Sequence, residues 1–132
     1  VSALLWVLAA YASWVAANLL LMALAPAPDA PSFNGFRIRV PRRVRDALAP
    51  EELEAVLAHE RGHRARLHVW KNFALVCAFS RQSRAGRLRQ EHEADDHAAA
   101  LGHGPALASA LRKIGGSRED FERAARLERN CS

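Results

Sequence analysis

The chain has 132 residues, room for one domain, and no charged side chain among its first 28. All 19 Lys and Arg and all 14 Asp and Glu come later, so the net charge of +5 belongs to the chain beyond that apolar stretch. Two cysteines, Cys77 and Cys131, without a Cys-x-x-Cys spacing exclude a disulfide framework and a thiolate zinc site, and they suit a reducing compartment.

Val1 to Ala25 is apolar apart from Ser2, Ser13, Asn18 and the Tyr11 hydroxyl. As a helix it would reach about 37 Å, more than the roughly 30 Å of a bilayer's hydrocarbon core. Pro26, Pro28 and Pro31 forbid its simple continuation and stiffen the exit. The expectation is a transmembrane anchor over 1–25 in contact with lipid, a proline-rich linker over 26–32 and one folded domain over 33–132. A cleaved signal peptide fits less well: no basic segment precedes the apolar stretch, the stretch is long for that role, and Pro26 would follow the cut. Arg37, Arg39, Arg42, Arg43 and Arg45 lie soon after the anchor, so the positive-inside rule predicts a single pass with the domain in the cytoplasm, as at a bacterial inner membrane.

Phe36, Ile38 and Val40 alternate with Arg37 and Arg39 until Pro41, which predicts one short edge strand or hairpin behind the Asn34-Gly35 turn. A peptide substrate could pair with such an edge. Pro50-Glu51-Glu52 starts a helix whose apolar face takes in Leu53, Val56 and Leu57 and is expected to extend to Leu67 and Trp70. His68 to Phe79 is apolar except for Lys71 and Asn72, too short to cross a bilayer, and reads as a core or interfacial helix. An arginine-rich stretch over Ser80 to Gln90 comes next, with Gly86 as the expected break before a helix running to Leu101. Gly102 and Gly104-Pro105 separate that helix from the next, Gly115-Gly116 end it, and Ser117 opens a terminal amphipathic helix. The fold class is mainly α, with minor β. A core this small leaves metal, membrane or a second copy of the chain, and so an oligomer, as sources of extra stability.

The chemistry concentrates in His59-Glu60-Arg61-Gly62-His63. Histidines four apart on a helix lie one turn apart on one face, so both imidazoles can reach one ion. Zinc suits such ligands, and a catalytic site needs a third protein ligand and an open position for water. Glu60, beside the first ligand, is the expected general base for attack of a zinc-bound water on a carbonyl. Gly62 is costly in a helix by about 1 kcal/mol relative to Ala, which suggests that another backbone approaches there. Downstream stands Glu91-His92-Glu93-Ala94-Asp95, two glutamates either of which could supply a third ligand.

The run from Leu48 to His63, together with Glu91 to Asp95 and Ala98 to Gly102, resembles the membrane-bound gluzincins, the group of the HtpX heat-shock protease and the CAAX prenyl protease. The resemblance covers roughly Phe33 to Ile114 and extends to the sensor-type antirepressor peptidases. It implies a zincin-like helical domain with one zinc ion on His59, His63 and Glu91, and with Asp95 orienting a ligand imidazole. Glu93 is the alternative ligand. Those enzymes carry several membrane helices where this chain has one, and they supply a downstream histidine or arginine to the oxyanion for which no matching motif occurs after Gly104. His97 is the candidate oxyanion stabiliser, with His92 and His68 behind it.

The function so implied is a membrane-anchored zinc metalloendopeptidase acting on protein or peptide. The alternative is a catalytically inactive relative that keeps the zinc site as a regulatory or binding protein. A nucleic-acid partner is not expected, because no helix-turn-helix and no aromatic-interleaved basic pattern occurs.

Overall fold

The computed structural model describes residues 2–26 and 28–131. Helix α1 (Ser2–Leu24) is apolar on every side, buries none of its residues, and is long and apolar enough to cross a membrane. Strands β1 (Ser32–Phe33) and β2 (Ile38–Arg39) form an antiparallel hairpin with Ser32 opposite Arg39 and Phe33 opposite Ile38. The strand expected over Phe36 to Val40 is shorter because its first residues belong to the turn. There Asn34 Oδ1 accepts the Phe36 and Arg37 N–H groups at 3.1 and 2.9 Å, and Gly35 takes the left-handed region at φ +93°. The hairpin is tied to the end of α1, where the Arg39 guanidinium donates to the carbonyls of Ala23, at 3.2 Å, and Ala25. A cation on those orphan carbonyls also complements the helix dipole.

Six further helices follow among the described residues: α2 (Arg42–Ala47), α3 (Pro50–Ala65), α4 (His68–Cys77), α5 (Arg84–Ala100), α6 (Gly104–Ile114) and α7 (Arg118–Asn130). The short α2 was not anticipated; it buries Val44 against the core. The α3 face does not continue to Trp70, because Leu67 adopts φ 57° and starts a new helix in another direction. Gly86 does not break α5 either. Ser83 caps that helix, its hydroxyl accepting the Gly86 N–H at 3.0 Å, so the glycine falls in the first turn, where a cap offsets its cost. The end of α6 and the start of α7 lie where Gly115-Gly116 and Ser117 put them.

Helices α3, α5, α6 and α7 pack on one another around a core dominated by small residues. Ala55, Ala58, Ala98, Ala110 and Ala124 are fully buried together with Leu107 and Leu127. Alanine at the contacts lets the helix axes approach closely, so backbone-mounted side chains are held with little slack.

Glu52 fixes the start of α3. Its carboxylate accepts the Ala49 N–H at 2.8 Å, the Ser109 hydroxyl at 2.6 Å and the Lys113 ammonium at 2.8 Å, stapling α3 to α6. The Lys113 bond above all, then those from Ser109 and Ala49, lower its pKa to about 2. A carboxylate depressed in the folded state contributes stability above its unfolded pKa, near 4.5, and loses it as pH falls toward the folded value. Glu52→Gln is therefore expected to cost about 1–2 kcal/mol at neutral pH. The gap to the wild type should close between pH 5 and pH 2, measured by urea unfolding in detergent.

Candidate metal centre

Helix α3 carries His59, Glu60 and His63, and α5 crosses it with Glu91 and Asp95. The crossing is close because Gly62 faces Ala94. A β-carbon at Gly62 would stand 2.9 Å from Ala94 Cα and 3.1 Å from its carbonyl oxygen. This is the backbone approach that the glycine implied, and it sets the acids of α5 opposite the histidines of α3.

Three donor atoms converge at the crossing. His59 Nε2 and His63 Nε2 are 3.1 Å apart, and the Glu91 carboxylate lies 3.5 Å from the first and 3.6 Å from the second. Donors about 2.0–2.1 Å from a tetrahedral zinc ion would stand about 3.3 Å from one another. Two imidazoles and one carboxylate also form a donor set that zinc accepts, so the residues fit the ion.

Each histidine is held from behind. His59 Nδ1 lies 2.9 Å from Asp95 Oδ1, at hydrogen-bond distance though poorly directed. His63 Nδ1 is 2.9 Å from His68 Nδ1, and His68 Nε2 is 2.8 Å from the Glu93 carboxylate. Glu93 thus turns away from the donor cluster and toward His68. Buried His68, the first residue of α4, links it to His63. Outer contacts of this kind fix the orientation and tautomer of a ligating imidazole.

Arg123 of α7 joins the acids. It grips Asp95 through two bonds of 2.8 and 2.7 Å and reaches Glu91 at 2.9 Å. Burial would raise the Asp95 pKa, but the Arg123 and His59 contacts outweigh it and keep the carboxyl well below the usual range. Glu91 obeys the same balance and is held at about 2. Burial disfavours charge on both histidines. At His59 the Asp95 and Glu91 carboxylates overcome it and raise the pKa to about 9, whereas His63, beside charged His59, falls to about 4. The acids that raise the His59 pKa would equally favour a cation held between them.

Glu60 is buried on the wall of a cleft of about 1000 Å³ that also exposes His59, His63, Glu91 and Arg123. Burial pushes its pKa up to about 7, against the opposing pull of neighbouring His59. A carboxylate near neutrality is matched to general-base work. His97 stands elsewhere. A β-carbon added at Gly62 would lie 3.0 Å from that of His97, at the helix crossing, and His97 is not among the described residues that line the cleft.

Arg123 is the residue that motif reading missed. One signal was available: Arg123 shares the helical stripe of buried Ala124 and Leu127, where a charge needs a buried partner. His68 was singled out, but its contact with His63 depends on the break at Leu67.

The class of protein, a metallopeptidase, comes from a family match. The chain belongs to peptidase family M48, whose model matches residues 17–88, from within α1 into the first turns of α5, ending before Glu91. No curated protein and no solved structure matches it.

Two substitutions probe the arrangement. Gly62→Ala should gain about 1 kcal/mol of helix propensity but lose about 1–3 kcal/mol to overpacking against Ala94, a net destabilisation visible in urea unfolding. Arg123→Met should cost about 3–5 kcal/mol, because it strands Asp95 and Glu91 as buried acids. Adding Asp95→Asn to it should recover part of that loss in the same assay.

Proposed function

We propose that the chain is a membrane-anchored, zinc-dependent metalloendopeptidase. The observation that carries the reading is the convergence of the His59, His63 and Glu91 donors beside Glu60 on an open cleft. In this reading His59, His63 and Glu91 hold one zinc ion, Asp95 orients His59, and His68 with Glu93 orients His63. Zinc bound there would polarise a substrate carbonyl and acidify water. Glu60 takes the proton from the attacking water and returns it to the leaving amine, its pKa near 7 suiting both transfers. Arg123 keeps Glu91 ionised and aimed, and acts as a positioning residue. The substrate is a protein or peptide lying in the cleft between the hairpin and α7.

Helix α1 serves as the anchor, over 1–25. Its 23 residues include an 18-residue stretch of mean hydropathy 1.9 and none is buried, which supports a bilayer as its surroundings. Residues 26–32 form the linker and 33–132 the peptidase domain.

The test compares purified wild type, Glu60→Gln and His59→Ala for zinc content and for cleavage of an unfolded protein. Wild type should carry about one zinc. Glu60→Gln should keep the metal and lose about 10²–10⁴-fold in rate, whereas His59→Ala should lose both. Wild type without stoichiometric zinc, with His59→Ala indistinguishable from it, overturns the site. Zinc binding without Glu60-dependent cleavage would instead mark an inactive relative that keeps the metal.

A further inference from the structure

Helix α4 leaves large apolar side chains in the open. Leu75 is 37% exposed, Val76 42% and Phe79, just past its end, 80%. Phe79 also stands at φ 54°, a left-handed conformation that strains a bulky residue and usually selects glycine. It ends α4 there, with the Ser80 N–H on the Leu75 carbonyl at 2.8 Å and the Phe79 N–H on the Val76 carbonyl at 2.9 Å. In water, both the strain and the exposure would favour a small polar residue.

The end of α4 lies against α1. The Phe79 ring stacks on Trp14, with centroids 5.1 Å apart and planes 21° apart, and is tilted against Tyr11 at 6.1 Å. The Tyr11 hydroxyl donates to the Cys77 carbonyl at 2.7 Å, satisfying a C-terminal carbonyl of α4 that water would otherwise serve. At its other end α4 meets α1 through the hairpin turn, where Gly35 sits between Met22, Val69 and Trp70. The two helices therefore run alongside each other from Met22 to Tyr11, each with large apolar side chains exposed.

Beside this surface a groove of about 540 Å³ runs between α4 and the start of α5, lined by Lys71, Arg81 and Arg89. The one acid lining it among the described residues, Glu93, is engaged by His68. Three cations around a groove at the border of an apolar face suit the anionic headgroups of a bilayer, whose acyl chains would cover the face itself.

We propose that α4 is a second membrane-contacting element, with Leu75, Val76 and Phe79 in the apolar layer beside α1 and with Lys71, Arg81 and Arg89 on anionic lipid headgroups. The proposal rests on the reading of α1 as an anchor. It places the cleft, whose wall includes His68 at the head of α4, at the membrane surface. The substrate class then narrows to polypeptide segments lying at or emerging from a bilayer.

The test uses the full chain with Cys77→Ala and Cys131→Ala, carrying one cysteine at a time in place of Leu8 on α1, Val76 on α4 or Glu122 on α7, each labelled with an environment-sensitive fluorophore. Vesicles are phosphatidylcholine with or without phosphatidylglycerol. Labels at 8 and 76 should be quenched severalfold by a lipid-borne quencher and spared by aqueous iodide, with the reverse at 122. Phosphatidylglycerol should strengthen the lipid quenching at 76, and Lys71→Gln, Arg81→Gln and Arg89→Gln together should abolish that gain. Lipid quenching at 8 with iodide quenching at 76 overturns the inference and leaves the anchor standing. Iodide quenching at 8 overturns the anchor and the inference with it. A label at 76 shielded from both quenchers means that protein covers α4, and the inference falls. Indifference of position 76 to phosphatidylglycerol overturns the headgroup assignment.

Discussion

Helices can cross as closely as α3 and α5 do only where neither presents a side chain of any size, and the rest of the site hangs from that point. Gly62 and Ala94 leave no room for a β-carbon between the two backbones. The ligand candidates stand within one turn or so of this crossing: His59 and His63 on one helix, Glu91 and Asp95 on the other. Donors mounted so close to a rigid contact inherit its precision, which loops of similar composition would not provide. The alanine-rich core carries the same closeness through α6 and α7.

Close packing concentrates charge, and α7 answers it. Three buried or half-buried carboxylates, Glu60, Glu91 and Asp95, surround two imidazoles, and the Arg123 guanidinium is the permanent cation bonded within that group among the described residues. Its planar fork satisfies Asp95 bidentately and still reaches Glu91, a geometry that lysine could not reproduce. The terminal helix is thus part of the centre even though it carries none of the motif residues. Glu60 differs from the other two acids in that burial raises its pKa, whereas theirs are lowered by Arg123 and His59.

What the sequence made legible were features with short-range causes. The spacing of His59 and His63, the demand for glycine at 62, the proline-led start of α3 and the Ser117 start of α7 all depend on a few neighbouring residues. The pairing of Glu91 and Asp95 with the histidines came from resemblance to known motifs. Contacts across long separations were not legible: the buried stripe of α7 signals that Arg123 needs a partner, but nothing local names Asp95, 28 residues away. Gly86 shows the converse error, since a glycine read as a break was absorbed into a capped first turn. The strand at Phe36 was overrun by the turn chemistry of Asn34.

The joint between α3 and α4 looks like an ordinary surface connection, with Leu67 more than half exposed. Its composition has latitude, since asparagine or glycine would tolerate the same left-handed backbone. Its length does not. His68 reaches back to His63 only because the helix is broken and redirected at this point, so a residue added or removed would turn α4 by about 100° and swing the imidazole away. Among related chains, natural variation here should take the form of replacement and not of insertion or deletion.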